Sequence, residues 1–359
     1  MEFAITGDQR LIQESARAFL TDAASLERLR VSLESEAGWD RDLWSGLGSL
    51  GFTGLMIPED YGGSGLGAVE MALVLEETGR TLAAAPFFET AVLATQAILF
   101  AGTEGQRARL LPALASGDMK ATWTCVADRP TLSGGRLRGR ARFVPFGHVA
   151  ELLIVATSGD SLIALPATTS GVRVTRVANL DRTRPMAEVQ FDDVDVSDDA
   201  ILGRPSGAGA VIARTLAVGA GLLAAEQTGG AQFCLDTTVE YAKQRVQFRR
   251  PIGSFQAVKH DLANMMVMIE ASRSAAYYAA AAIDEGGEEL AEACSIASSC
   301  ASDCYNHCAG EAIQLHGGIG FTWEHHAHLY FKRARASSSC FGGPEAQRDA
   351  LARIILESA

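Results

Sequence analysis

The chain has 359 residues, 48% of them hydrophobic and 21% charged, and 31 Lys and Arg face 43 Asp and Glu for a formal net charge of −12. That length suggests two or three domains with ample core, and the composition excludes a disordered chain. The acidic balance argues against general nucleic-acid binding, which needs clustered Lys and Arg to neutralise phosphates. Local basic patches remain able to take an anionic small molecule.

No apolar run reaches the ~20 residues of a membrane span; the best candidate, Ala208 to Ala225, contains Arg214. The opening MEFAITGDQR has neither the basic start nor the apolar stretch of a secretory signal, so a cytoplasmic protein is expected. The seven cysteines, Cys125, Cys234, Cys294, Cys300, Cys304, Cys308 and Cys340, are odd in number and read as free thiols. Cys300, Cys304 and Cys308 recur on one helix face. Without a CxxC pair or a matched His pair, packing explains them better than metal binding. The His-rich run at 325–328 has no acidic ligand pattern around it, and no metal is expected.

From Gly7 to about Gly117 the pattern is helical in four or five segments, with Leu11, Ser15, Ala18 and Phe19, then Leu43, Leu47 and Leu50, at helical spacing. GFTGLMIPEDYGGSGLGAVE (51–70) interrupts that region. A helix follows through MALVLEETGRTL, Pro86 opens another, and EGQRARLLPALASG reads as a short helix pair closed by Gly117. Composition shifts at about Met119. From Ala121 to about Leu202 short alternating runs such as ELLIVAT and GVRVTRV, separated by Gly, Asp and Pro, predict an antiparallel β domain. Helical period then returns over about 208–247, 254–285, 287–315 and 326–357, in long Ala-rich segments typical of a bundle. The expected fold class is multi-domain α+β: an N-terminal helical domain (1–118), a central antiparallel β domain (119–207) and a C-terminal four-helix bundle (208–359).

Three stretches carry chemistry: IPEDYGGSG (57–65), RVQFRRPIGSFQAVKHDLANMM (245–266) and QLHGGIGFTWEH (314–325). Arg245 offers a permanently charged, bidentate fork. Gly317 and Gly318 let an anion approach the backbone where a Cβ would obstruct it. Phe248 and Phe255 offer apolar faces, and Gln256 and Gln314 offer amide donors and acceptors. Taken alone, the same residues fit an exposed Arg, core aromatics and a Gly-rich turn between helices.

In this order and at this spacing, the three stretches resemble the flavin-dependent acyl-CoA dehydrogenase family across essentially the whole chain. The resemblance implies FAD as cofactor and α,β-dehydrogenation of an acyl-CoA thioester, a carboxylate taking the α-proton while the β-hydride goes to flavin. It implies a dimer or tetramer in which Arg245, Phe248, Phe255, Gln256, Gln314, Gly317 and Gly318 serve the adenine–pyrophosphate half of a neighbouring subunit's FAD. It also favours an electron-transfer flavoprotein as electron acceptor.

The sequence departs from the family where the chemistry is done. Aligned on Gln347 and Arg348, SSSCFGGPEAQRDALA (337–352) places Phe341 at the usual base position. At the alternative base position, TLAVGA (215–220) has Gly219 and Ala220 in place of Glu and Arg. FVPFG (143–147) puts Pro145 where members carry a hydroxyl near the flavin, and the preceding loop, CVADRPTLSGG (125–135), is shortened. The chain thus resembles the base-lacking subunit of bacterial heterotetrameric acyl-CoA dehydrogenases that shorten steroid side chains. The alternatives are a homomeric enzyme with an unconventional base among Glu226, Glu324 and Glu345, or an elimination without net oxidation. Glu226 lies about 10 Å along a helix from Gly219, Glu345 is placed to cap the final helix after Pro344, and Glu324 to pair with Lys332 or Arg333. Elsewhere, Arg182 and Arg184 are expected to pair with the nearby Asp181 and Asp192, the alternative being contact with CoA phosphates, and Met265, Met266 and Met268 to pack. Trp323 suits either a pocket wall or packing.

Overall fold

The computed structural model describes residues 5–124 and 128–357; Cys125 and the start of the 125–135 stretch lie outside the described residues. In chain order come α1 (Gly7–Ala23), α2 (Leu26–Glu34), α3 (Arg41–Ser49), α4 (Ala68–Thr81), a π-helical stretch (Phe88–Ala94) running into α5 (Thr95–Ala101), and α6 (Glu104–Ala115). The strands follow: β1 (Ala121–Trp123), β2 (Thr131–Ser133), β3 (Arg136–Pro145), β4 (Leu152–Ala156), β5 (Leu162–Pro166), β6 (Val172–Val177), β7 (Met186–Asp195) and β8 (Ile201–Leu202). The chain closes with α7 (Gly209–Gln244), a small hairpin of β9 (Val246–Gln247) and β10 (Arg250–Pro251), α8 (Gln256–Glu285), α9 (Leu290–His316), α10 (Ala327–Ser337) and α11 (Gly343–Glu357). These elements form two compact units, one of Met1–Leu29, Ala68–Ala83 and Ala220–Ala359, the other of Arg30–Gly67 and Ala84–Gly219.

The first unit is the helical bundle. Along α9 the buried face is made of small residues at helical spacing, Ala293, Ala297, Ala301, Cys304, Cys308 and Ala312, which lets neighbouring helices approach closely. Closest approach occurs where α4 meets α7: a Cβ on Gly229 would lie 1.8 Å from the Glu76 carbonyl oxygen, and one on Gly79 1.8 Å from that of Glu226. No side chain fits at either position. Asp284 of α8 supplies the cap that α4 lacks in its own sequence, accepting from the backbone N–H groups of Ala68 (2.6 Å) and Val69 (3.2 Å). The cysteines on α9 do pack: Cys304 and Cys308 are buried with sulfurs 3.9 Å apart, and burial pushes the Cys294 thiol up to about 12. Met265 is likewise buried, whereas Met266 is 58% exposed. α7 is long and apolar enough to cross a membrane by length and composition, and 61% of its most apolar window is buried inside the protein.

The last predicted helical segment is two helices rather than one. Phe341 (φ 54°, ψ 29°), Gly342 (φ 88°) and Gly343 (φ 79°) occupy the left-handed region in succession, which no right-handed helix accommodates. Pro344 then stands in the first turn of α11, with Glu345 beside it as expected for a helix start.

The second unit holds two four-stranded sheets, β1-β4-β5-β8 and β2-β3-β7-β6. Their inward side chains, among them Leu137, Val144, Leu153, Val155, Ile163, Val189, Phe191 and Val194, form a shared core, and β7 shows the period-2 burial of a half-buried strand. Pairing is antiparallel except between β1 and β4. The long excursion through β2 and β3 between those two strands provides the crossover that parallel pairing requires. Arg182 and Arg184 have partners distant in sequence. The Arg184 guanidinium pairs with Glu89 at 3.2 Å, Arg182 donates to the Leu33 carbonyl, and Asp181 accepts from the Thr183 N–H and hydroxyl.

Candidate functional site

In the first unit, the C-terminal ends of α7 and α9 come together. The Tyr241 ring stacks on His316 with centroids 4.4 Å apart, and its hydroxyl donates to the His316 carbonyl at 3.3 Å. Arg245 lies one helical turn beyond Tyr241, its N–H bonded to the Tyr241 carbonyl at 2.8 Å; Gly317 immediately follows His316. Two motifs far apart in sequence, 245–266 and 314–325, thereby share one end of the bundle. Burial holds the His316 imidazole below the ordinary histidine range.

The hairpin that follows α7 is built against its own backbone preference. Its two-residue loop, Phe248 (φ 51°) and Arg249 (φ 66°), has positive φ at both positions, the conformation that Asn-Gly satisfies cheaply and Phe-Arg does not. The strained tip leaves Phe248 85% exposed. Behind it, Phe255 meets Phe248 edge to face at 6.0 Å and carries the Arg250 guanidinium 3.9 Å above its ring. Arg245, Gln256 and Gln314 are all exposed.

Gly317 and Gly318 form an open turn after α9. Gly317 has φ 65° and ψ −143°, a conformation reserved almost wholly for glycine. A Cβ on either glycine would meet no atom within 4 Å, so packing does not account for their lack of side chains. Open backbone beside exposed guanidinium and amide groups is the chemistry a pyrophosphate needs, and the residues present fit the adenine–pyrophosphate half of FAD.

The candidate bases lie in three different settings. Glu226 is in the bundle interior, its carboxylate accepting from Arg333 at 2.8 Å with both side chains at most 5% exposed. Glu345 is exposed in the first turn of α11, and Glu324 is exposed in the turn before α10. Beside Glu324, the Lys332 ammonium sits 4.3 Å over the Trp323 ring, which is 60% exposed, and the Arg333 guanidinium donates to Glu226. Gly219 lies within α7, and Phe341 sits in the left-handed break, its carbonyl accepting from the Gln347 side chain at 2.7 Å.

In the second unit, the FVPFG stretch ends β3 with an irregularity. Its pairing to β7 shifts register between Ala141 and Val144, and Phe143 (φ 57°) and Phe146 (φ 50°) are both left-handed around Pro145. Among the described residues, four phenylalanines have positive φ, Phe143, Phe146, Phe248 and Phe341, and each belongs to a stretch singled out from the sequence. Strain of this kind, costly for a bulky side chain, concentrates at functional sites. Sequence reasoning missed Arg249, Arg250, Tyr241, His316 and His325. The Arg doublet beside Arg245 and the His inside QLHGG were visible signals, but the stack of His325 on His316 at 4.4 Å is a tertiary contact.

Comparison with known proteins gives the family. Residues 6–118 match the family described as acyl-CoA dehydrogenase, N-terminal domain, and residues 207–356 the acyl-CoA dehydrogenase, C-terminal domain. The chain is 36% identical over 348 residues to acyl-CoA dehydrogenase IpdE2 of Mycolicibacterium smegmatis, covering 95% of this chain and 96% of that protein. It superposes on a chain of the ChsE4–ChsE5 complex from Mycobacterium tuberculosis with a TM-score of 0.92, 26% identity and complete coverage of both. Against a chain of the Tcur3481–Tcur3483 steroid ACAD the TM-score is 0.89 at 31% identity, covering 99% of each. The chain belongs to the acyl-CoA dehydrogenase family. The family is one of FAD-dependent oxidoreductases.

Proposed function

We propose that this chain is the base-lacking subunit of a heteromeric acyl-CoA dehydrogenase, completing the adenine–pyrophosphate half of a partner subunit's FAD site. One combination carries the reading: an open Gly317–Gly318 backbone beside Arg245, in a chain with Phe341 and Gly219 at the two positions where the resemblance places a base. Neither phenylalanine nor glycine can accept a proton. Arg245 would hold the pyrophosphate, the Gly317 and Gly318 backbone would approach it closely, and Phe248, Phe255, Gln256 and Gln314 would line the adenosine side. The hydride-accepting chemistry there would be supplied by FAD.

The relatives and neighbours support the substrate class. The names of two solved neighbours describe a two-component complex and a steroid ACAD, which favours an acyl-CoA thioester from sterol-like catabolism in an α2β2 assembly. An electron-transfer flavoprotein suits the role of electron acceptor. Glu226 is unsuited to be a base because its carboxylate is held by Arg333 in the bundle interior.

The deciding experiment measures flavin absorbance against protein for the chain expressed alone and co-expressed with a dehydrogenase that carries a conventional Glu base. Little flavin alone and full flavin in the complex is the expected result. One FAD per chain together with acyl-CoA turnover by the chain alone would overturn the proposal.

A further inference from the structure

One residue reaches both parts of the half-site proposed above. Tyr241 lies in the last turn of α7, and its backbone carbonyl accepts from the Arg245 N–H at 2.8 Å. The Arg245 carbonyl accepts in turn from the Ile252 N–H at 2.8 Å, so the hairpin closes back on that residue. The exposed guanidinium therefore leaves from a backbone held on both sides.

The Tyr241 side chain serves the other part. Its hydroxyl donates to the His316 carbonyl at 3.3 Å, and its ring stacks on the His316 ring with centroids 4.4 Å apart. That carbonyl belongs to the same planar peptide unit as the Gly317 N–H, which donates back to the Ile313 and Gln314 carbonyls of α9. One edge of the peptide is thus tied to α9 and the other to α7. Gly317, at φ 65° and ψ −143°, has no side chain to register the turn, so its orientation comes from this peptide. His316 cannot meet a ligand itself. It is 4% exposed, its Nδ1 donates to the Ala312 carbonyl at 2.6 Å, and the His325 ring centroid lies 4.4 Å from its own.

Holding α7 against α9 does not require Tyr241. The two helices are already joined about four turns earlier, where the Gln227 amide donates to the Ser302 hydroxyl at 3.1 Å. They also press together at Gly230, whose Cβ would lie 2.5 Å from the Tyr305 ring. What Tyr241 adds is a contact to the carbonyl that precedes Gly317, made by the residue whose own carbonyl anchors Arg245.

We infer that Tyr241 and His316 are positioning residues for the FAD half-site, a role that rests on that reading: their stack and hydrogen bond fix the Gly317–Gly318 backbone relative to the Arg245 guanidinium, so that one pyrophosphate meets both. Neither side chain touches the cofactor in this role. An error of about 1 Å in that separation is enough to weaken a contact to either part.

The test titrates FAD into the flavin-free complex with a base-bearing dehydrogenase, followed by flavin fluorescence. Tyr241→Leu, which loses both stack and hydrogen bond, should weaken FAD about tenfold, and Tyr241→Phe, which keeps the stack, about threefold. Tyr278→Phe removes a hydroxyl bound to Glu289 near the far end of α8 and should leave affinity unchanged. Because Tyr241 acts by matching the glycines to Arg245, Tyr241→Leu should have little further effect in an Arg245→Gln background. Hydrogen exchange over residues 316–321 of the flavin-free chain should quicken in Tyr241→Leu and stay as in the parent in Arg245→Gln. Should circular dichroism show Tyr241→Leu misfolded, Tyr241→Phe takes its place in both measurements. FAD affinity unchanged by Arg245→Gln would overturn the half-site reading, and this role with it. FAD affinity lowered by Arg245→Gln but indifferent to the Tyr241 change, lowered by the two independently, or unaltered exchange at Gly317–Gly318, would overturn the positioning role alone.

Discussion

Glu226 and Arg333 meet at 2.8 Å between α7 and α10, with side-chain exposures of 5% and 3%. An ion pair so enclosed bears a desolvation cost on both sides, and removing one partner takes away a contact that offsets that cost for the other. Arg333→Met and Glu226→Ala should each destabilise the chain by about 3–5 kcal/mol, seen as a lowered denaturant midpoint. Replacing both with apolar residues should cost much less than either single change. A Glu226→Ala chain of unchanged stability would reopen a chemical role for that carboxylate.

Gly318 separates packing from function cleanly. Its would-be Cβ meets nothing within 4 Å, and its φ lies outside the left-handed range. Gly318→Ala should therefore stay within about 0.5 kcal/mol of the parent in stability. On the proposed function, flavin content of the complex should nevertheless fall several-fold, because the methyl would occupy the space proposed for the pyrophosphate. Equal flavin content in parent and variant would remove Gly318 from the cofactor site.

What could be read from the sequence follows from how local each feature is. Helical spacing located the bundle segments, and alternation located the strands, because both periodicities are written within a single element. The seam of Ala and Cys on α9 was legible for the same reason. The parallel pairing of β1 with β4, the Asp284 cap on α4 and the partners of Arg184 and Glu226 join distant residues, so no local pattern announces them. The break at Phe341 was hidden differently: Gly342, Gly343 and Pro344 signalled a turn, yet a phenylalanine in the left-handed region contradicts its own preference. At the candidate site, motif residues were readable, while the Tyr241–His316–His325 stack that joins them was not.

The Phe248–Arg249 loop offers a test of stored strain. Each non-glycine residue held at positive φ costs about 1–2 kcal/mol, and Asn-Gly fits the same turn without that cost. The double substitution Phe248→Asn, Arg249→Gly should raise the melting temperature of the chain while lowering its capacity to retain flavin in the complex. A variant both stabilised and fully flavinated would show that the tip has no role in cofactor binding.

Two histidines set an acid limit on stability. Burial lowers the folded-state affinity of His148 and of His316 for a proton, below the ordinary value of 6.5. Between that value and the lower folded one, the unfolded chain binds more protons than the native chain, so stability falls as pH drops through the window and is fully present above it. Melting temperature measured from about pH 7.5 down to about pH 5 should therefore decline, with the decline setting in near 6.5. His148→Gln keeps a donor for the Ala37 carbonyl without titrating, and should flatten part of the decline. Adding His316→Gln should flatten it further. A profile of the parent that is level across this range would contradict the assignment.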